Sequence, residues 1–177
     1  IPAGGGCKEM LWRWLQTPEG KENSEHASMK VFDLIGYAIT ATSPNEALPN
    51  QFFLEKDKVV INRDRQLSTA IDLLNNIEGG YEKPSQPKFN LGGSAVRDKM
   101  FEKLEALYNE NKILDHGLEV GKQIAFVLSG GNTNIDNELS EDDLYNLELE
   151  AFMRLIQMPK TQERIKHTLE TGKPLVN

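Results

Sequence analysis

A single cysteine, Cys7, leaves the chain unable to form an internal disulfide, so its fold owes nothing to oxidation. A reducing compartment is compatible with that, and the cytoplasm is the expected location. No apolar run approaches the roughly 20 residues that a spanning helix needs, so membrane insertion is not expected. Basic residues are in the minority, 20 against 27 acidic ones, and the resulting charge of −7 repels nucleic-acid phosphates and anionic lipid on average. Nucleic acid is therefore excluded as an expected partner. His26, His116 and His167 lie far apart, and none has a second His or a Cys at a metal-site spacing. No G-x-G-x-x-G occurs, so the chain carries no dinucleotide fingerprint. The first residue is Ile, and Ile1 to Gly6 has neither the charged region nor the apolar stretch of a signal peptide, so the chain reads as cut rather than processed.

What is present is enough for one folded domain. The 177 residues, 38% of them hydrophobic, suit an ordinary globular core. Met10, Leu11, Trp14 and Leu15 fall at helical spacing ahead of Pro18 and Gly20. Lys21 to Ser28 reads as a polar loop, and Met29, Phe32, Leu34, Ile35 and Ala38 predict a second helix. Ser43-Pro44-Asn45-Glu46 combines an N-cap serine, a proline at the first helical position and a capping-box glutamate. Lys58 to Ile61 suits a short strand or extended connector. Asn62 is placed to cap a helix from Arg63 to about Ile77, with Leu67, Ala70, Ile71, Leu74 and Ile77 as its apolar stripe.

Glycines and prolines then cluster between Glu78 and Gly93, which marks a linker over residues 81–93 between a 1–80 region and a 94–177 region, together one compact unit. Beyond it, Met100, Leu104, Leu107 and Tyr108 mark one helix, and Leu118, Ile124, Ala125, Val127 and Leu128 a second, stopped by Gly130-Gly131. Ser140 with Asp143 opens a third that runs to Pro159, and a last helix spans roughly Thr161 to Leu169 before Gly172 and Pro174. The predicted class is mainly α, with seven or eight helices and at most one short strand.

Few residues carry obvious chemistry. Three glycines entering a helix, Gly4, Gly5 and Gly6, leave backbone N–H groups able to face an anion or thioester, although the same pattern serves plain close packing. Cys7 at that helix start invites a lowered pKa, but no histidine is adjacent in sequence, and an unreactive small apolar residue is the simpler reading. Glu138, Glu141, Asp142 and Asp143 gather where a helix begins, as capping and the helix dipole favour. Trp12 and Trp14 fall on different faces of their helix, so at least one is expected to be exposed or in contact with another subunit or a missing segment, and the other to pack in the core.

Two stretches also resemble a known family. Ile1-Pro2-Ala3-Gly4-Gly5-Gly6-Cys7-Lys8-Glu9 resembles the loop and helix start that follow the second catalytic glutamate in crotonase-type enoyl-CoA hydratases. Leu144 to Asn177 is similar to the C-terminal end of bacterial bifunctional 3-hydroxyacyl-CoA dehydrogenase/enoyl-CoA hydratases, notably at Glu148, Glu150-Ala151-Phe152, Pro159-Lys160-Thr161, Glu163-Arg164-Ile165 and Thr171-Gly172-Lys173-Pro174-Leu175. Thr17 to Ser28 and Glu82 to Asn90 match poorly.

The resemblance implies the helical C-terminal portion of a crotonase-type fold, from an enzyme of fatty-acid β-oxidation acting on 2-enoyl-CoA and 3-hydroxyacyl-CoA. It implies that Gly4, Gly5 and Gly6 lie beside the substrate's reacting carbons, that no catalytic residue lies within this chain, and that the chain alone is inactive. It places NAD only in the dehydrogenase part of the parent, with no cofactor or metal here, and implies an acyl-CoA ligand and a homo-oligomer. The alternatives are a free-standing helical interaction module without activity, and a stand-alone enzyme using Cys7 as its nucleophile.

Overall fold

The computed structural model describes residues 4–77 and 81–177. Ile1, Pro2 and Ala3 of the glycine loop, and Glu78, Gly79 and Gly80 just before the expected linker, lie outside the described residues. The chain forms two compact units: one joins Ile1–Ile39 to Pro87–Asn177, and the other is Thr40–Gln86.

In the first unit, helix α1 (Gly6–Leu15) buries Cys7, Leu11 and Trp14, an i, i+4, i+7 stripe. Helix α2 (Pro18–Glu22) is short, and Thr17 caps it by accepting the Gly20 amide. Helix α3 (Ser24–Gly36) packs on α1 through Ala27, Val31 and Phe32. Helices α6 (Ser94–Asn109) and α7 (Asp115–Leu128) pair closely because Gly121 has no side chain: a Cβ there would stand 2.5 Å from Leu104 Cδ2. Helix α7 buries Ile124, Ala125, Val127 and Leu128, and α1, α3, α6 and α8 (Glu141–Ile156) all pack on it. Its end is set by Gly130 and Gly131, both at positive φ. Helix α8 opens on a complete Ser140–Asp143 capping box, and α9 (Pro159–Thr171) closes on Gly172 at φ 69°.

Strands β1 (Lys88–Asn90) and β2 (Glu138–Ser140) pair antiparallel, with Phe89 opposite Leu139. The class is mainly α, as the periodicity implies, with two three-residue strands where at most one is expected. The pairing also corrects the expected linker over 81–93. Its second half belongs to the first unit, since Phe89 and Leu91 are fully buried and the Gly93 amide donates to the Ser129 carbonyl. The compact units accordingly do not divide at that linker.

The expected loop Lys21 to Ser28 is corrected as well. It is helical apart from Asn23, whose side chain accepts the Glu25 amide and restarts the helix as α3. A two-helix break of this kind leaves no gap in periodicity long enough to distinguish it from a loop.

In the second unit, α4 (Pro44–Ala47) is capped by Ser43 as predicted, but the Glu46 carboxylate reaches Thr42, on both its amide and its hydroxyl. Residues 58–60 are extended without strand pairing. Arg63–Arg65 forms one 3-10 turn, with Asn62 accepting the Asp64 amide, and leads into α5 (Gln66–Asn75). The predicted stripe is on one face but is not a core: Leu67, Ile71, Leu74 and Ile77 are all exposed, Leu67 by 73%. Amphipathic period predicts a face that needs covering, and within the second unit these four side chains stay exposed. Among the described residues no helix is long and apolar enough to cross a membrane.

Candidate functional site

The glycine entrance of α1 meets the last third of the chain at one carboxylate. Glu148, on α8 and only 4% exposed, accepts the Gly5 amide at 2.6 Å through Oε2 and the Lys8 amide at 2.8 Å through Oε1. An acid reaching across from another helix does the work of an N-cap here, satisfying donors that the first turn cannot pair internally and meeting the positive end of the helix dipole.

Gly5 sits at φ 86°, a conformation costly for a residue with a side chain, and its missing Cβ would lie 2.9 Å from the Tyr145 ring. At Gly4 an added Cβ would meet nothing within 4 Å among the described residues, so among these that side of the loop is open. Gly6 is the first residue of α1. Of the three predicted glycines, then, Gly5 is explained by backbone geometry and packing, while Gly4 presents a bare edge.

Charge around the entrance is tightly paired. The Lys8 ammonium reaches Glu141 at 2.7 Å and Glu9 at 3.2 Å, and lies 5.4 Å from the centre of the Tyr145 ring. Burial pulls its pKa down, but the hydrogen bonds with Glu141, Glu9 and Tyr145 outweigh it and hold the ammonium above its ordinary range. The Lys8 contact holds Glu141 below the usual carboxylate range. Glu9, despite some burial, is held low by Arg13 and Lys8. Both shifts favour the ionised carboxylates, and their ion pairs with Lys8 and Arg13 tie the side chains of the entrance to one another. The acidic residues at the α8 start also divide between different partners. Glu141 joins Lys8, Asp143 closes the capping box, and Glu138 pairs with Lys88 across the sheet.

Cys7 is fully buried, and burial followed by the nearby Glu148 charge pushes its thiol up to about 12. A buried thiol of that kind is the opposite of an activated nucleophile, which counts against the reading of Cys7 as a nucleophile. Labelling with a disulfide reagent at pH 8 is expected to proceed only as fast as the chain opens. A rate in the folded protein equal to that of a free thiol would contradict this burial.

No group of His, Cys, Asp and Glu among the described residues could hold a metal ion. His116 is buried and sits 2.9 Å from Thr161 Oγ1, fixing the start of α9 against α7. Its pKa is lowered, first by burial and then by Arg164 and Lys160. Since the unfolded chain binds this proton more readily, its contribution to stability is present above about pH 6.5 and is lost as pH falls through the lowered folded value. Urea titrations at stepped pH should show that loss, and His116→Gln should flatten it. An unchanged slope in the variant would assign the effect elsewhere. Trp14 is the buried tryptophan, while Trp12 meets the Phe89 ring edge-on at 6.1 Å between centres.

Together these features define a helical scaffold in which the C-terminal helices fasten a glycine-led helix start. Over its full length the chain is similar to a Bacillus subtilis (strain 168) protein described as "Probable 3-hydroxyacyl-CoA dehydrogenase", 31% identical over 178 residues. The chain covers 22% of that relative, so it is similar to part of a 3-hydroxyacyl-CoA dehydrogenase. No protein-family model matches the chain, and no solved structure matches it.

The amino-acid sequence marks Gly4, Gly5 and Gly6 as a helix entrance and Glu148 as part of a C-terminal pattern, with nothing local to join them. An acid separated by 143 residues from the amide it caps leaves no local signal.

Proposed function

We propose that the chain is the C-terminal part of a crotonase-type hydratase domain within a bifunctional 3-hydroxyacyl-CoA dehydrogenase/enoyl-CoA hydratase, a cytoplasmic enzyme of fatty-acid β-oxidation. The observation that carries this reading is the Glu148 bridge: the two stretches that resemble the family, the glycine loop and Leu144 to Asn177, are fastened to each other by one buried carboxylate. The similarity of the whole chain to part of a protein described as a probable 3-hydroxyacyl-CoA dehydrogenase supports the dehydrogenase-related part of this reading.

In this reading the loop forms the downstream wall of an acyl-CoA site. The open edge at Gly4 lets a thioester approach the backbone, and Glu148 holds the loop rigid from behind. The acid–base groups and the NAD site belong to other parts of the parent, which assembles as a homo-oligomer. The purified 177-residue chain is expected neither to hydrate crotonyl-CoA nor to bind NAD, while the natural gene product containing it hydrates crotonyl-CoA. Absence of hydration by that gene product, or turnover well above background by the chain alone, would refute the reading.

The exposed stripe of α5 favours a second reading, a helical interaction module without activity. It gains if the natural gene product binds a protein partner through α5 and turns over no acyl-CoA.

A further inference from the structure

Helix α8 carries two stripes, and the first unit covers one of them. Leu144, Glu148, Ala151 and Leu155 are buried. Tyr145, Leu149 and Phe152 each follow a buried residue by one position, so they lie about 100° further round the helix, and Met153 widens the same face. All four are exposed, from 40% at Tyr145 to 58% at Leu149, and they run about 12 Å along the axis. The outer face of a surface helix ordinarily carries charge, and a helix apolar round most of its circumference belongs in an interior. On α8 Glu150 and Arg154 sit to one side of the stripe and pair with each other at 2.5 Å, which leaves the stripe itself neutral.

One end of the stripe is fixed at the glycine entrance. The Cβ missing from Gly5 would stand 2.9 Å from the Tyr145 ring, and Gly4 presents its open edge next in the chain. A segment closing over that edge therefore adjoins the stripe. The patch is too small to hold a free partner, since four side chains fall far short of the roughly 20–30 residues a side of a stable interface. The chain's charge of −7 also repels a second copy. A segment of the same polypeptide needs no such area, because tethering alone supplies an effective concentration on the order of millimolar. The chain covers 22% of its Bacillus subtilis relative, so that relative has chain enough beyond the match to supply one. We propose that the exposed stripe of α8 is the docking face for the part of the hydratase domain that precedes the glycine loop, which packs on Tyr145, Leu149, Phe152 and Met153 as it closes over Gly4. The inference rests on the hydratase reading for the identity of that segment.

Methionine oxidation by hydrogen peroxide, followed by peptide mass spectrometry, tests it. Met153 lies in the stripe, while Met100 is fully buried and reports an intact fold. In the 177-residue chain Met153 is expected to oxidise at least about tenfold faster than Met100. In the natural gene product Met153 should slow by about tenfold or more and stay slow on dilution, as a tethered contact requires. Leu149→Asp should return Met153 to the fast rate in the gene product with Met100 still slow, and should leave the urea midpoint of the 177-residue chain unchanged, since the side chain is exposed there. Photomethionine at position 153 should cross-link to the segment that precedes the glycine loop. The proposal is overturned if Met153 is as fast in the gene product as in the chain, or already as slow as Met100 in the chain. It is equally overturned if protection is lost on dilution, which makes a second copy the occupant, or if the cross-links fall elsewhere. Crotonyl-CoA turnover measured on the same sample separates the two readings. Turnover with Met153 fast overturns the docking and not the hydratase reading, whereas protection without turnover overturns the hydratase reading and, with it, the identity given to the segment.

Discussion

Glu148→Ala is expected to lower the stability of the chain by about 3–5 kcal/mol, since it strands two buried backbone donors, each worth about 1–3 kcal/mol, and opens a void where the side chain stood. The donors are the Gly5 and Lys8 amides, and water has little access to either, with Glu148 4% and Lys8 7% exposed. Against a total stability of about 5–15 kcal/mol for a domain, this is a large share. Glu148→Gln should fall between the two. Its carbonyl oxygen can keep one of the amides, while its NH2 group turns a donor toward the other. Urea unfolding followed by tryptophan fluorescence reads the change directly, because Trp14 lies on the helix being capped. A loss under about 1 kcal/mol for the alanine variant would mean that the carboxylate is not what fastens the glycine entrance.

That entrance shows which parts of the molecule were legible in the amino-acid sequence. Period and capping chemistry located the longer helices, because each announces itself within a few residues: Ser140 with Asp143, Gly130-Gly131, Asn62 and Ser43 all do locally what their residue types favour. The missed features depend on distant partners. Strand β1 is too short to carry a period, and only β2, across the α6–α7 hairpin, makes it a strand. Its Phe89 sits fully buried in a segment whose prolines and glycines otherwise point to a linker.

For the candidate site the division is similar. Three glycines before a helix are visible at once, and Gly5 has a local reason in its positive φ. The group that turns this loop into a rigid surface arrives from α8, and the lysine beside it is held by Glu141 from the same helix. The stripe on α5 marks the converse limit. Amphipathicity was read correctly as a face, but burial depends on a neighbour that the stripe itself does not specify.

Gly93→Ala is expected to cost about 4 kcal/mol or more, enough to compromise folding, because two independent penalties fall on one residue. The backbone there adopts φ 58° with ψ −134°, outside the regions open to a residue with a side chain. A Cβ would also stand 1.7 Å from the Thr133 carbonyl oxygen and 2.7 Å from its carbon, and neither is the movable end of a side chain. Relief by shifting the backbone is blocked on the other side, where the Gly93 amide donates at 2.9 Å to the carbonyl of fully buried Ser129. Gly172 supplies the comparison. It too has positive φ, at 69°, but an added Cβ meets nothing within 4 Å, so Gly172→Ala should cost only about 1 kcal/mol, the strain of the left-handed conformation by itself. Thermal and urea unfolding of both variants separate conformational strain from close approach. Equal losses for the two would mean that the 130–134 turn yields to a side chain at Gly93, and that the junction of β1 with α6 is softer than its contacts imply.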